Sequence, residues 1–85
     1  MTGRFPCPCC GHWTLGEAPP GTFFICPVCS WEDDPVQYHD PTYEGGANGT
    51  CLNDARANYL DFGARSRVDL ARVRPPRPEE ISPIS

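Results

Sequence analysis

Cys7-Pro8-Cys9-Cys10 and Cys26-Pro27-Val28-Cys29 are separated by the fifteen residues between Cys10 and Cys26. The resulting C-x2-C-x15-C-x2-C pattern suits four thiolates converging on one metal ion. In each pair the first cysteine ends a strand and proline pre-sets a turn. The backbone then folds back, so that both sulfurs face one point. Gly11, just after the first pair, takes the positive φ that closes such a turn; Ser30, after the second, takes it less easily. Cys7, Cys10, Cys26 and Cys29 are therefore the expected ligands of one structural Zn2+ per chain. Iron in the same four thiolates is the alternative, because proline-containing knuckles also build iron sites.

Other residues carry chemistry at weaker spacing. Cys9 lies inside the first knuckle but out of register with Cys7 and Cys10, and reads as a spare thiol. A second metal site from Cys9, His12, His39 and Cys51 is the sharper alternative, since Cys9 and His12 stand at ligand spacing. Cys51 falls at the start of a helix, where the dipole lowers a thiol pKa. No base or resolving thiol adjoins it, so a helix cap is the simpler role. Glu32, Asp33 and Asp34 would need to converge to work as acid and base or to hold a hard cation. Neighbouring carboxylates diverge, and Pro35 favours a capped turn or the rim of an interface.

These groups must be held by a very small body. The chain has 85 residues, of which 11 are proline and 8 glycine, so regular structure is sparse and the core alone is weak. A structural zinc contributing about 10–16 kcal/mol would act as the staple. Between the knuckles, residues 12–15 and 21–25 are β-prone runs around a Gly/Pro turn, expected to pair as antiparallel strands. Trp13, Phe23 or Phe24, Ile25 and Trp31 are the expected aromatic core. Residues 31–50 show no lasting period and read as one long polar loop. A helix is expected over 51–62. Leu52, Ala55, Tyr59 and Leu60 would line one face, Thr50 or Cys51 would cap it and Gly63 would end it. Residues 64–85 read as an extended Arg/Pro-rich tail, with a short amphipathic element at Val68, Leu70 and Val73.

Charge narrows the partners. The chain has seven arginines, no lysine and eleven acids. Residues 1–60 hold Arg4 and Arg56 against seven acids, an excess of five negative charges, so phosphate backbones are repelled. The expectation is no nucleic acid, no membrane and an unidentified protein partner, with the chain a monomer or weak oligomer. The start Met-Thr-Gly-Arg-Phe-Pro has no apolar leader region, and four of the six cysteines at metal spacing fit a reducing compartment. The expected location is therefore cytoplasmic.

Several segments together resemble the cysteine-rich CPCC family of small bacterial proteins: Cys7-Pro8-Cys9-Cys10-Gly11, Cys26-Pro27-Val28-Cys29 followed by Trp31-Glu32-Asp33-Asp34, Gly45-Gly46-Ala47-Asn48-Gly49, and Leu52-Asn53-Asp54-Ala55-Arg56-Ala57-Asn58-Tyr59. The likeness runs from Cys7 to about Gly63, and residues 73–80 also look like the tails of some members. It implies a metal-binding ribbon, and some members are associated with toxin or defence genes. Where the family tends to place serine at the helix cap, this chain has Cys51. The expected fold is a small metal-stabilised α+β domain, with zinc-ribbon or rubredoxin-like hairpins and one helix over 1–63, then the tail over 64–85. The expected function is a non-enzymatic protein-interaction module presenting Trp31–Asp34, the loop to Thr50 and the helix face. An iron electron carrier is second and a small thiol-dependent redox enzyme third.

Overall fold

The computed structural model describes residues 4–81. Its first hairpin pairs β1 (Phe5–Pro6) antiparallel with β2 (Trp13–Leu15), in the register Phe5 to Leu15 and Pro6 to Trp13. The second is shorter, with Ile25 bridged to Glu32 across the Cys26–Cys29 turn. Each hairpin thus closes on its own knuckle. The expected pairing of residues 12–15 with 21–25 does not form, because a tight knuckle brings together the segments flanking it at little loop-closure cost. The intervening turn carries a cis Pro19–Pro20 bond.

Leu15, Val28, Trp31, Leu52 and Ala55 pack with four of the cysteines into the core, and Tyr59 packs against it. The expected aromatic core is only partly right. Trp31 is fully buried, Trp13 is half-buried, and Phe23, Phe24 and Ile25 are exposed. A chain this short encloses too little volume for all of them, and Trp31 occupies the space beside the sulfurs.

Residues 31–50 are ordered by polar contacts in place of apolar periodicity. A short helix α1 (Pro35–His39), absent from the sequence expectation, starts where Asp34 accepts from Val36 N and Pro35 takes the first helical position. Gln37, fully buried, donates to the carbonyls of Tyr43 and Thr50 at 3.0 and 2.9 Å. A Cβ at Gly46 would lie 2.6 Å from Gln37 Cγ and from Asp34 Oδ2, so only glycine lets the loop approach so closely.

Helix α2 (Leu52–Phe62) follows the expectation. Cys51 caps it, Asp54 stands in the first turn, and Gly63 ends it at φ 93°. Leu52 and Ala55 are buried, whereas Leu60 projects into solvent at 87% exposure, so the apolar stripe is narrower than expected. Residues 64–81 are not extended throughout: a 3-10 turn (Arg67–Asp69) and a short helix α3 (Pro78–Ile81) interrupt them. Residues 82–85 of the expected tail lie outside the described residues.

That segment straps the second knuckle. Arg65 N donates to Cys29 O at 2.7 Å and Arg74 N to Pro27 O at 3.2 Å. Two arginines of this segment are anchored: Arg65 makes a bidentate pair with buried Asp69, and Arg74 does so with buried Glu80, which Arg4 also contacts. Burial alone would raise Asp69, but hydrogen bonds from Arg65 and Ser66 hold it below the usual carboxylate range.

The Arg74 hydrogen bonds bring Glu80 down to about 2. A carboxyl lowered on folding adds stability above its unfolded pKa and loses it as pH falls through the folded one. Glu80→Gln should therefore cost about 1.5–3 kcal/mol near neutral pH, since Arg74 is partly solvated and the pair correspondingly screened. The gap between wild type and variant should close as pH falls from about 4.5 toward 2. Urea titrations of both proteins across that range are the check, and a gap that stays constant would disprove the assignment.

Candidate metal centre

The two knuckles repeat one geometry. Cys7 N donates to His12 O and Gly11 N to Cys7 O, both at 2.8 Å; Cys26 N donates to Trp31 O at 2.9 Å and Ser30 N to Cys26 O at 2.8 Å. Gly11 and Ser30 close the turns at φ 79° and 74°, so the serine does adopt the left-handed conformation that glycine takes easily. The two turns face each other. As a result Cys7, Cys10, Cys26 and Cys29 place their sulfurs within 4.8 Å of one another, a group able to hold a metal ion.

The spacing within that group suits a small tetrahedral ion. Cys7 Sγ lies 3.6 Å from Cys29 Sγ, and Cys10 Sγ lies 3.7 Å from Cys26 Sγ. A zinc tetrahedron with Zn–S near 2.3 Å has an S···S edge of about 3.8 Å. Cys7, Cys26 and Cys29 are buried and Cys10 is half-buried. Without a cation such a cluster cannot ionise fully: the contact with Cys10 pushes the Cys7 thiol up, while Cys10 and its neighbours hold Cys26 down as the favoured thiolate. Thr14 Oγ1 donates to Cys26 Sγ at 3.0 Å and Trp31 N to Cys29 Sγ at 3.4 Å, so these sulfurs are solvated by the protein as anions would be.

Later elements brace both turns from behind. Arg56 Nε, on α2, donates to Pro8 O at 2.8 Å, and the strap holds the carbonyls of Pro27 and Cys29. Tyr59 reaches His12 Nε2 at 3.0 Å; burial beside the sulfurs pushes its hydroxyl up to about 12, with the cysteine charges adding.

A family model described as cysteine-rich CPCC matches residues 5–80. The chain belongs to the cysteine-rich CPCC family. No curated protein matches it. In this CPCC protein the family match includes the strap as well as the knuckles and α2. Among the described residues no helix is long and apolar enough to cross a membrane.

The remaining candidates have structural positions. Cys9 is buried in the core, His12 is engaged by Tyr59, and His39 stacks edge-on against Tyr38. Cys9, His12, His39 and Cys51 do not come together among the described residues. Asp33 Oδ2 binds the Thr22 amide and hydroxyl, and Asp34 caps α1 and accepts from Ala47 N, so the acidic run builds turns. Cys51 Sγ accepts from Asp54 N at 3.4 Å, within reach of the Glu44 and Asp54 carboxylates. Serine is the better capping acceptor, so Cys51→Ser should stabilise by about 0.5–1 kcal/mol with metal content unchanged. Chemical denaturation beside metal analysis checks this; a variant that lost metal or stability would refute it.

The roles of Asn48, Gln37, Arg65 and Glu80, the polar groups that hold the loop and strap, were not legible in the sequence, although Asn48 falls within the Gly45–Gly49 family segment. Their signal is weak, because a buried polar residue has no hydrophobic period to reveal it.

Proposed function

We propose that Cys7, Cys10, Cys26 and Cys29 hold one structural zinc and that the protein is a non-enzymatic, cytoplasmic protein-interaction module. The observation that carries this is the closure of the four-sulfur cluster. Protein packs around it, and a fourth thiolate stands where a catalytic zinc would keep a water. The burial of Cys9 in the core and the capping position of Cys51 weigh against a thiol enzyme. Iron in the same thiolates is the rival. Metal analysis of the purified protein separates the two: one zinc in a colourless sample supports the proposal, and one iron in a red, reversibly reducible sample overturns it. A toxin- or defence-linked setting rests on the family resemblance alone.

Two features refine the choice of partner. Trp31 and Asp33 are fully buried, so the Trp31–Asp34 segment is not the exposed anchor expected from sequence. Arg65 and Arg74 are neutralised by Asp69 and Glu80, leaving less of a basic strip than the tail composition suggests. Affinity for duplex DNA or structured RNA should be no tighter than about 10⁻⁴ M at physiological salt. Gel-shift titration is the check, and micromolar binding that falls steeply with salt would count against a protein partner.

A further inference from the structure

The second hairpin has one finished edge and one open edge. Ile25 and Glu32 face each other across it. The flanking bonds, Asp33 N to Phe24 O at 3.0 Å and Cys26 N to Trp31 O at 2.9 Å, make theirs the widely spaced, non-hydrogen-bonded pair. The N–H and C=O of both residues must therefore point outward, to opposite sides. On the Glu32 side the side-chain amide of Asn48 receives them both. Glu32 N donates to Asn48 Oδ1 at 2.7 Å, and Asn48 Nδ2 donates to Glu32 O at 2.8 Å, which is the pairing a neighbouring strand would provide. On the Ile25 side no backbone hydrogen bond reaches that residue among the described residues.

The open side is also apolar. Phe23, Phe24 and Ile25 are 54%, 41% and 62% exposed, three large side chains in a row. Phe23 holds φ 57°, a conformation that a bulky L residue rarely adopts and that tends to persist at functional sites. The Phe24 ring reaches over Gly16, where an added Cβ would lie 3.4 Å from it. The segments on either side of this edge in the sequence are acidic. From Phe5 to Ala55 there is no lysine or arginine, against seven acids. Glu32 opposes Ile25, so its side chain rises on the same face, and Glu17 adjoins Gly16.

We infer that the Phe23–Ile25 edge accepts, as an added strand, an extended segment of a partner protein in which basic residues alternate with apolar ones. The inference rests on the interaction-module reading and moves its surface from buried Trp31 to this edge. The Ile25 N–H and C=O supply backbone pairing. Phe24, on the face opposite Ile25, receives the apolar side chains, and Ile25 receives the stems of the basic ones, whose charged heads reach Glu32.

The test uses the metal-loaded full chain and short synthetic peptides. An alternating Arg–Ile peptide should bind, with amide shifts centred on Phe23–Ile25 in NMR titration and affinity that declines with salt. Methylating alternate peptide amides should weaken it about tenfold by removing backbone donors. Phe24→Ser and Glu32→Gln should each weaken it, whereas Leu60→Ser and Val68→Ser, at exposed positions elsewhere in the chain, should not. An alternating Glu–Ile peptide that bound equally well, shifts centred outside Phe23–Ile25, or no binding would each overturn the inference. So would sedimentation showing that a second copy of the chain occupies the edge. Because metal identity is measured separately, failure here is distinguishable from failure of the zinc-module reading.

Discussion

Exhaustive chelation of the metal-loaded protein should abolish the fold, with loss of the far-ultraviolet dichroism and of any cooperative melting transition. Among the described residues the strand pairing is a two-stranded hairpin with strands of two and three residues, plus a single bridge. Of the nine buried residues in the core, four are cysteines, and three of these belong to the four-sulfur group. In such a domain, metal binding of about 10–16 kcal/mol is folding energy. Without the ion, crowded thiols replace a tetrahedron of charge-neutralised thiolates. Cys26→Ser should have the same outcome, since Cys26 is buried and accepts the Thr14 hydroxyl. Cys9→Ser should leave one metal per chain. Dichroism and melting that survive chelation unchanged would show that the ion is not structural.

The second large effect belongs to a residue with no metal contact. Asn48 is fully buried and serves three elements at once. Besides its two bonds to Glu32, its side chain donates to Gln37 Oε1 at 2.8 Å and accepts from Arg65 Nη1 at 2.9 Å. Asn48→Ala leaves the Glu32 N–H and C=O without these partners and Gln37 Oε1 with only the backbone amide of position 48. The expected loss is about 3–5 kcal/mol, a sum over several buried bonds. Asn48→Asp should not rescue it, because a carboxylate cannot donate to Glu32 O or Gln37 Oε1. Denaturant titration measures both variants, and a cost below about 1 kcal/mol for alanine would place the network outside the cooperative unit.

Among the described residues Trp31 Nε1 and Asp33 Oδ1 have no hydrogen-bond partner. Each is a desolvation cost that the rest of this small interior must offset.

The amino-acid sequence by itself determined the knuckles and the main helix. Both are local: a Cys-Pro-x-Cys turn and a capped run of eleven residues are specified by neighbours within a few positions. The cysteine spacing and the family motifs were likewise legible, because thiolate geometry imposes spacing on the chain. Which residues fill the core, which edge stays open and where the arginines go were decided only in three dimensions. Trp31, Ile25 and Phe23 or Phe24 all read as core, and Trp31–Asp34 also as a binding surface, until the volume beside the sulfurs is seen to hold only Trp31 of them. Gln37 and Asn48 read as loop residues until the helix, hairpin and strap converge on them. Arg65 and Arg74 read as part of an Arg/Pro-rich tail until their carboxylates, four and six residues further on, are found buried within the strap itself. Polar satisfaction and volume depend on residues distant in sequence, and no local pattern encodes them.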